Sequence, residues 1–182
     1  MKNNVKMLAE IAVAVALSTV LSYLTLFRMP QGGSINLEML PLLFIAFRWG
    51  GVPGIAAGVL HGLVQLITGA FVVHPAQFIL DYPLAYGLLG VAGFIPIFRK
   101  DNSIKKPSFV IALIFGGSAR FISHFFSGVI FIEDFAPEIE NAWSYSAIYN
   151  LSHLLPALIL SALVIYLMHR QTKEVLLQQF DH

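Results

Sequence analysis

Long apolar runs separated by short polar breaks dominate the chain. Stretches such as Ile11–Leu17 are apolar on every side. They show neither the one-in-two alternation of a barrel strand nor a broad polar stripe at helical spacing. Six segments are predicted as helices, over about 7–27, 37–47, 52–72, 75–98, 107–132 and 142–168. A hydrocarbon layer about 30 Å thick needs about 20 apolar residues per helix. Five segments meet that length; 37–47 is shorter and is expected to cross only part of the layer. The pattern therefore predicts an all-α integral membrane protein, one six-helix transmembrane bundle spanning 1–182, with no internal repeat and no second domain.

Composition agrees. The chain has 182 residues, 57% hydrophobic and only 12% charged, against about 25% charged for a soluble domain. That leaves too little polar surface to wet a globule and excludes both a soluble enzyme and a disordered chain. The net charge of +1 gives no basic field for nucleic acid. The absence of cysteine removes disulfides and thiolate chemistry. The distribution of charge is more informative than its sum. Placing the N-terminus inside puts Lys2, Lys6, Arg48, Arg99, Lys100, Lys105, Lys106, Arg170 and Lys173 on the cytoplasmic side and only Arg28 outside. The last outer loop is acidic, with Glu133, Asp134, Glu138 and Glu140. This asymmetry predicts both termini cytoplasmic and an even number of crossings. The first apolar run follows Met1-Lys2-Asn3-Asn4-Val5-Lys6 and is longer than a signal-peptide core, so it is read as a retained helix. The tail 171–182 is expected to be a frayed helix end.

Ionisable groups inside a span cost about 2.5–3.5 kcal/mol each and need a reason. On this topology Asp81 lies about six residues into the fourth helix, roughly 9 Å deep at 1.5 Å per residue. Gln77 and Asp81, His124 and Gly128, and Tyr145 and Tyr149 are i, i+4 pairs on three helices, and so share faces. Glu38, Arg120, His124, Tyr145 and Asn150 fall at a depth similar to that of Asp81, and the inner half holds almost nothing polar except Glu10. The set describes an outward-facing cup for a polar, cationic, ring-containing small molecule rather than a continuous pore. Arg120 is expected to neutralise either Asp81 or Glu38. His61, Gln65 and His153 read as structural hydrogen-bonding residues and Trp143 as part of an interfacial aromatic belt. The outer loop 29–36, with Gly32-Gly33, is expected to close over the cup.

On the first helix Ala12 and Ala16 form one small-residue row, and Ala14, Ser18 and Ser22 another. Such rows let a second helix approach backbone to backbone, either within the bundle or on a partner membrane protein. No nucleotide-binding GxxxxGK[ST], HExxH or GxSxG motif is present, so no enzymatic activity is expected. A stand-alone secondary transporter, proton-coupled through Asp81, Glu38 and His124, is the alternative reading.

Several stretches together resemble a known family. They are 30–34 with Glu38; Phe47-Arg48-Trp49-Gly50; His74-Pro75-Ala76-Gln77 through Asp81-Tyr82; Arg120 with His124 and Gly128; and Phe135-Ala136-Pro137 through Trp143 and Tyr145 to Tyr149-Asn150. In this order and spacing they resemble the thiamine-specific S component of energy-coupling-factor (ECF) transporters, the ThiT family, over nearly the whole chain. The resemblance implies a multi-pass protein of the bacterial plasma membrane that takes thiamine from outside and needs no cofactor. It implies a substrate site of Asp81, Tyr82, His124, Gly128, Tyr145 and Asn150, with Glu38, Gln77 and Arg120 secondary. It also implies that Ala12 and Ala16 dock the chain on a transmembrane coupling protein carrying two ATPases. Ser34 and Ile132 stand where some members have tryptophan.

Overall fold

The structure is a computed structural model and describes residues 2–29, 33–99, 101 and 103–171. The loop residues 30–32, Lys100 and the tail 172–182, for which expectations were stated above, lie outside the described residues. The first helix, α1, runs Lys2–Tyr23. It ends before the predicted 27 because the chain turns there into a small hairpin. Its strands β1 (Phe27–Arg28) and β2 (Ser34–Ile35) pair antiparallel.

Helices α2 (Met39–Trp49) and α3 (Gly51–Thr68) are separated by a single residue, Gly50. Its φ of +93° is a conformation that side-chain-bearing residues resist, and it lets the chain reverse in one step. A Cβ on Gly54 would stand 2.6 Å from that of Ala46, so α3 can fold back closely on α2. Helix α3 stops at Gly69, φ +108°, whose N–H caps Gln65 O, short of the predicted 72. A left-handed glycine after the last turn is a strong stop signal.

The fourth helix, α4, opens on Pro75, where the missing N–H costs nothing. His74 caps it by accepting from the Ala76 N–H at 3.1 Å. It is not the uniform helix expected over 75–98. An α-helical start (Pro75–Ile79) widens into a π turn (Leu80–Leu84), returns to α (Ala85–Leu89) and tightens to 3-10 at Gly90–Phe94. Pro83 lies within the π turn; it has no N–H for the ladder, which favours a local defect. The Ser123 hydroxyl donates to the nearby Leu80 carbonyl at 2.6 Å and ties the widened turn to α5 (Lys106–Phe135). The connection into α5 carries an isolated bridge, Phe98 to Ile104. In it the Asp101 carboxylate accepts from the Ser103 hydroxyl and N–H, which holds its carboxyl below the usual range. Helix α6 (Ala142–Gln171) completes the fold.

The short helix α2 lies at the centre of the core. Leu42, Leu43, Ile45 and Phe47 are fully buried, joined by Ala57, Leu89, Ile97 and Ile165 from surrounding elements. A short helix with apolar residues on every side is stable where other helices enclose it. The enclosing helices carry their apolar residues outward instead. Val13, Leu17, Ile67, Ile111, Ile114 and Ile159 are exposed, an apolar belt that a water-soluble protein of this size would not tolerate. Among the described residues, four helices are long and apolar enough to cross a membrane: Asn3–Tyr23, Gly51–Thr68, Lys106–Asp134 and Ala142–Arg170.

Close packing of α3 on α4 rests on a row that the sequence reading above passes over, Gly54, Gly58 and Gly62. A Cβ on Gly58 would collide with the Tyr86 carbonyl and one on Gly62 with the Pro83 backbone. This is the small-residue spacing that brings helix backbones together. Here it seats α3 directly behind the π turn.

Candidate functional site

The π turn does the positioning. It carries Asp81 and Tyr82 on the wall of a cavity of about 230 Å³ bounded by α1, the hairpin, α2, α3, α4, α5 and α6. By the same measure an ordered water needs about 10–15 Å³, so the cavity has room for an organic molecule. All nine residues predicted for the substrate site, principal and secondary, line it: Asp81, Tyr82, His124, Gly128, Tyr145, Asn150, Glu38, Gln77 and Arg120.

Asp81 accepts from Gln77 Nε2 at 2.6 Å and meets His124 Nδ1 at 3.0 Å. The i, i+4 relation of Gln77 and Asp81 is thus used directly. Gln77 also holds the preceding loop, accepting from the Val73 N–H at 3.1 Å and donating to Phe71 O at 3.2 Å. Tyr82 pins the same loop from the other side, its hydroxyl 2.8 Å from the Phe71 N–H. Tyr82 and Gln77 therefore shape the rim as well as lining the cavity.

Of the two carboxylates open to Arg120, the structure selects Glu38. Arg120 Nη2 lies 3.4 Å from Glu38 Oε1, and its guanidinium carbon sits 4.0 Å from the centre of the Tyr86 ring. Tyr86 donates to the same carboxylate at 2.5 Å, and Gln65 approaches its other oxygen at 3.5 Å. Gln65 in turn meets His61, which reaches Thr19 on α1. Glu38 is therefore satisfied deep in the bundle, whereas Asp81 keeps only a neutral amide and an imidazole for partners. A carboxylate without a fixed cationic partner inside a bundle is the group best prepared for a cationic ligand. Arg120 Nη1 and Ser127 Oγ are buried without a hydrogen-bond partner among the described residues, and both residues line the cavity.

The α6 wall is aromatic. Tyr145 and Tyr149 stack at 5.6 Å with 19° between their planes, and Tyr149 meets the His153 ring edge-on. His153, read above as structural, lines the cavity. Its signal was present in the i, i+4, i+8 series 145–149–153, which puts all three on one helix face. The Tyr149 hydroxyl accepts from the Gly33 N–H at 2.8 Å, so the hairpin is already drawn onto the mouth of the cavity. Asn150 spends its amide hydrogens on Ser146 O at 2.9 Å and His124 O at 3.4 Å, linking α6 to α5. Gly128 serves the same junction: a Cβ there would strike Ser146 Oγ. Trp143 is exposed and tilts against Phe125, away from the cavity residues.

Two features lie outside this site. Glu10 receives Arg48 Nε at 2.7 Å and Trp49 Nε1 at 2.8 Å, which accounts for the lone acid in the inner half. The two small-residue rows of α1 separate. Ala14 and Ser18 are buried within the bundle, while Ala12 and Ala16 face outward.

A family model described as thiamine transporter protein (Thia_YuaJ) matches residues 8–177. The chain belongs to the thiamine transporter protein family. Its relatives in this family include the thiamine transporter ThiT of Bacillus subtilis strain 168, 35% identical over 170 residues and 88% of each chain. Another is the thiamine transporter ThiT of Lacticaseibacillus paracasei, 31% identical over 166 residues, 86% of this chain and 83% of the relative. The fold is similar to a solved structure of ThiT from Listeria monocytogenes, with a TM-score of 0.80, 27% identity, and 96% and 98% of the two chains covered. As a thiamine transporter family member with several helices able to span a bilayer, it is a multi-pass cell-membrane protein.

Proposed function

We propose that this chain is the substrate-binding membrane subunit of an energy-coupling-factor transporter. It captures thiamine from outside at the cavity around Asp81 and passes it inward when a separate ATP-driven module moves it. The observation that carries the reading is the Asp81 carboxylate, held by an amide and an imidazole and by no Lys or Arg among the described residues, in a cavity it shares with the stacked Tyr145 and Tyr149. Thiamine contains a permanently cationic thiazolium and an aminopyrimidine. A carboxylate and aromatic faces complement the first, and the imidazole of His124 and the amide of Asn150 complement the hydrogen-bonding edge of the second. Glu38, Gln77 and Arg120 support the floor and rim.

The topology proposed is six crossings with both termini cytoplasmic, α2 and the broken α4 completing the four long spans. The contact between Glu10 in the first half of α1 and Arg48 near the end of α2 supports it, since it sets the basic end of α2 beside the half of α1 that begins with Lys2 and Lys6. The outward row of Ala12 and Ala16 supports docking on the transmembrane coupling protein, which with two ATPase subunits would supply the energy. Titration calorimetry with thiamine on the purified chain and on Asp81→Asn tests the site. Binding by the chain followed by a marked loss in the variant is expected, and equal affinity of the two would remove Asp81 from it.

A second reading is a carrier that couples thiamine to protons without partners. The line of polar contacts that joins the two carboxylates, from Asp81 through His124 and Arg120 to Glu38, favours it. Thiamine uptake by the chain alone in proteoliposomes under a pH gradient would establish that reading over the first.

A further inference from the structure

Resting on the reading that a cationic ligand meets Asp81, we infer that Ser123, which does not itself line the cavity, is a positioning residue that sets the Asp81 carboxylate in place through the backbone of the π turn. The turn needs support from outside its own helix. Pro83 has no N–H, so the ordinary i to i−4 bond onto the Ile79 carbonyl is missing there, and the helix widens where it carries Asp81.

Ser123 supplies that support from α5. It is 4% exposed, and its hydroxyl donates to Leu80 O at 2.6 Å. A hydroxyl inside a helix commonly turns back to its own helix, as Ser161 does to Ala157 O and Thr19 to Val15 O. Ser123 spends its donor on the neighbouring helix instead, and the acceptor is the carbonyl of the residue before Asp81. The Leu80 carbonyl and the Asp81 N and Cα share one peptide plane. Holding the oxygen therefore limits how the plane that carries Asp81 can turn. His124, next along α5, meets Asp81 Oδ1 at 3.0 Å, so one turn of α5 holds both the backbone and the carboxylate of the same short segment. Gln77 takes Oδ2 from within α4 at 2.6 Å. From behind, α3 presses on the turn at Gly62, where a Cβ would collide with the Pro83 backbone. The π turn is thus gripped between α3 and α5. Without the Ser123 hydroxyl, Leu80 O loses its α5 partner, the turn relaxes and the carboxylate leaves the place where the ligand cation needs it. The contribution of Ser123 to binding passes through the Asp81 charge.

A double-mutant cycle reads that route. Thiamine affinity is measured by titration calorimetry on the full chain in detergent for wild type, Ser123→Ala, Asp81→Asn and the double variant. Ser123→Ala should weaken binding by about three- to tenfold, the equivalent of one hydrogen bond. In the Asp81→Asn background the same change should cost less than about twofold, because the charge being positioned is gone. A serine that merely joins α4 to α5 would lower affinity equally in both backgrounds, or lower the ligand-free thermal midpoint with affinity unchanged in both. Either pattern overturns the inference. Ser123→Cys, whose sulfur is a weaker donor, enters the same cycle and decides it should Ser123→Ala fail to fold, with a smaller loss that again vanishes in Asp81→Asn. An Asp81→Asn variant that binds as tightly as wild type, or a wild type that does not bind thiamine, would instead overturn the reading on which the inference rests.

Discussion

Asp81→Asn removes one charge and alters almost no volume, so its effect can be worked from the contacts. At about 4 Å, a unit cation and a carboxylate attract by about 4 kcal/mol at an effective dielectric constant of about 20. The side chain of Asp81 keeps 20% of its surface accessible, so water screens part of that gain. Asparagine also fits its neighbours badly. Gln77 Nε2 and His124 Nδ1 both approach Asp81, and the new amide offers one acceptor and one donor group. Gln77 cannot simply turn its amide over, because Oε1 holds the Val73 N–H. This misfit exists before the ligand arrives and weakens the empty site too, so only part of it appears in binding. A net loss of about 2 kcal/mol follows, which is about thirtyfold in Kd. Calorimetry of both purified proteins with thiamine gives that ratio directly, and thermal unfolding of the ligand-free forms separates a folding defect from a binding defect. Equal dissociation constants for two equally well-folded proteins would refute the electrostatic argument.

Other outcomes follow from the same contacts. Ala12→Leu with Ala16→Leu projects bulk from an outward face of α1. It should leave thiamine affinity within about twofold while abolishing uptake by cells that supply the coupling module; unimpaired uptake would contradict docking through this row. Gly58→Ala drives a methyl into the Tyr86 backbone. A loss of stability of about 1–3 kcal/mol is expected, read as a lower thermal midpoint with weakened binding, because the π turn behind the seam carries Asp81. Tyr149→Phe removes the acceptor for the Gly33 N–H. Stopped-flow dissociation should be faster by about two- to tenfold, the kinetic equivalent of one hydrogen bond of about 0.5–1.5 kcal/mol at the cavity mouth.

Much was legible in the chain itself. The bilayer imposes a length and an apolar surface on every spanning helix, so long apolar runs report membrane helices with little help from context. The cost of burying charge made Asp81, Arg120 and Glu38 conspicuous for the same reason, and helical spacing grouped Gln77 with Asp81 and Tyr145 with Tyr149. Helix ends were less legible. Gly69 stops α3 early, and the hairpin ends α1 early, because capping and strand pairing are local choices that an apolar profile does not register.

The sequence by itself determined that the chain is helical, membrane-embedded, and built with costly polar groups on several helices. Tertiary structure alone decided their partners. Arg120 chose Glu38 over Asp81, His153 joined the cavity wall, and short α2 became the core. The two alanine and serine rows of α1 turned to opposite surroundings. These outcomes depend on the distance of closest approach between helices, fixed by glycine seams such as Gly54, Gly58 and Gly62 and by the π turn at Pro83. Periodicity places a side chain on a face of its own helix, but only packing between helices determines what that face meets.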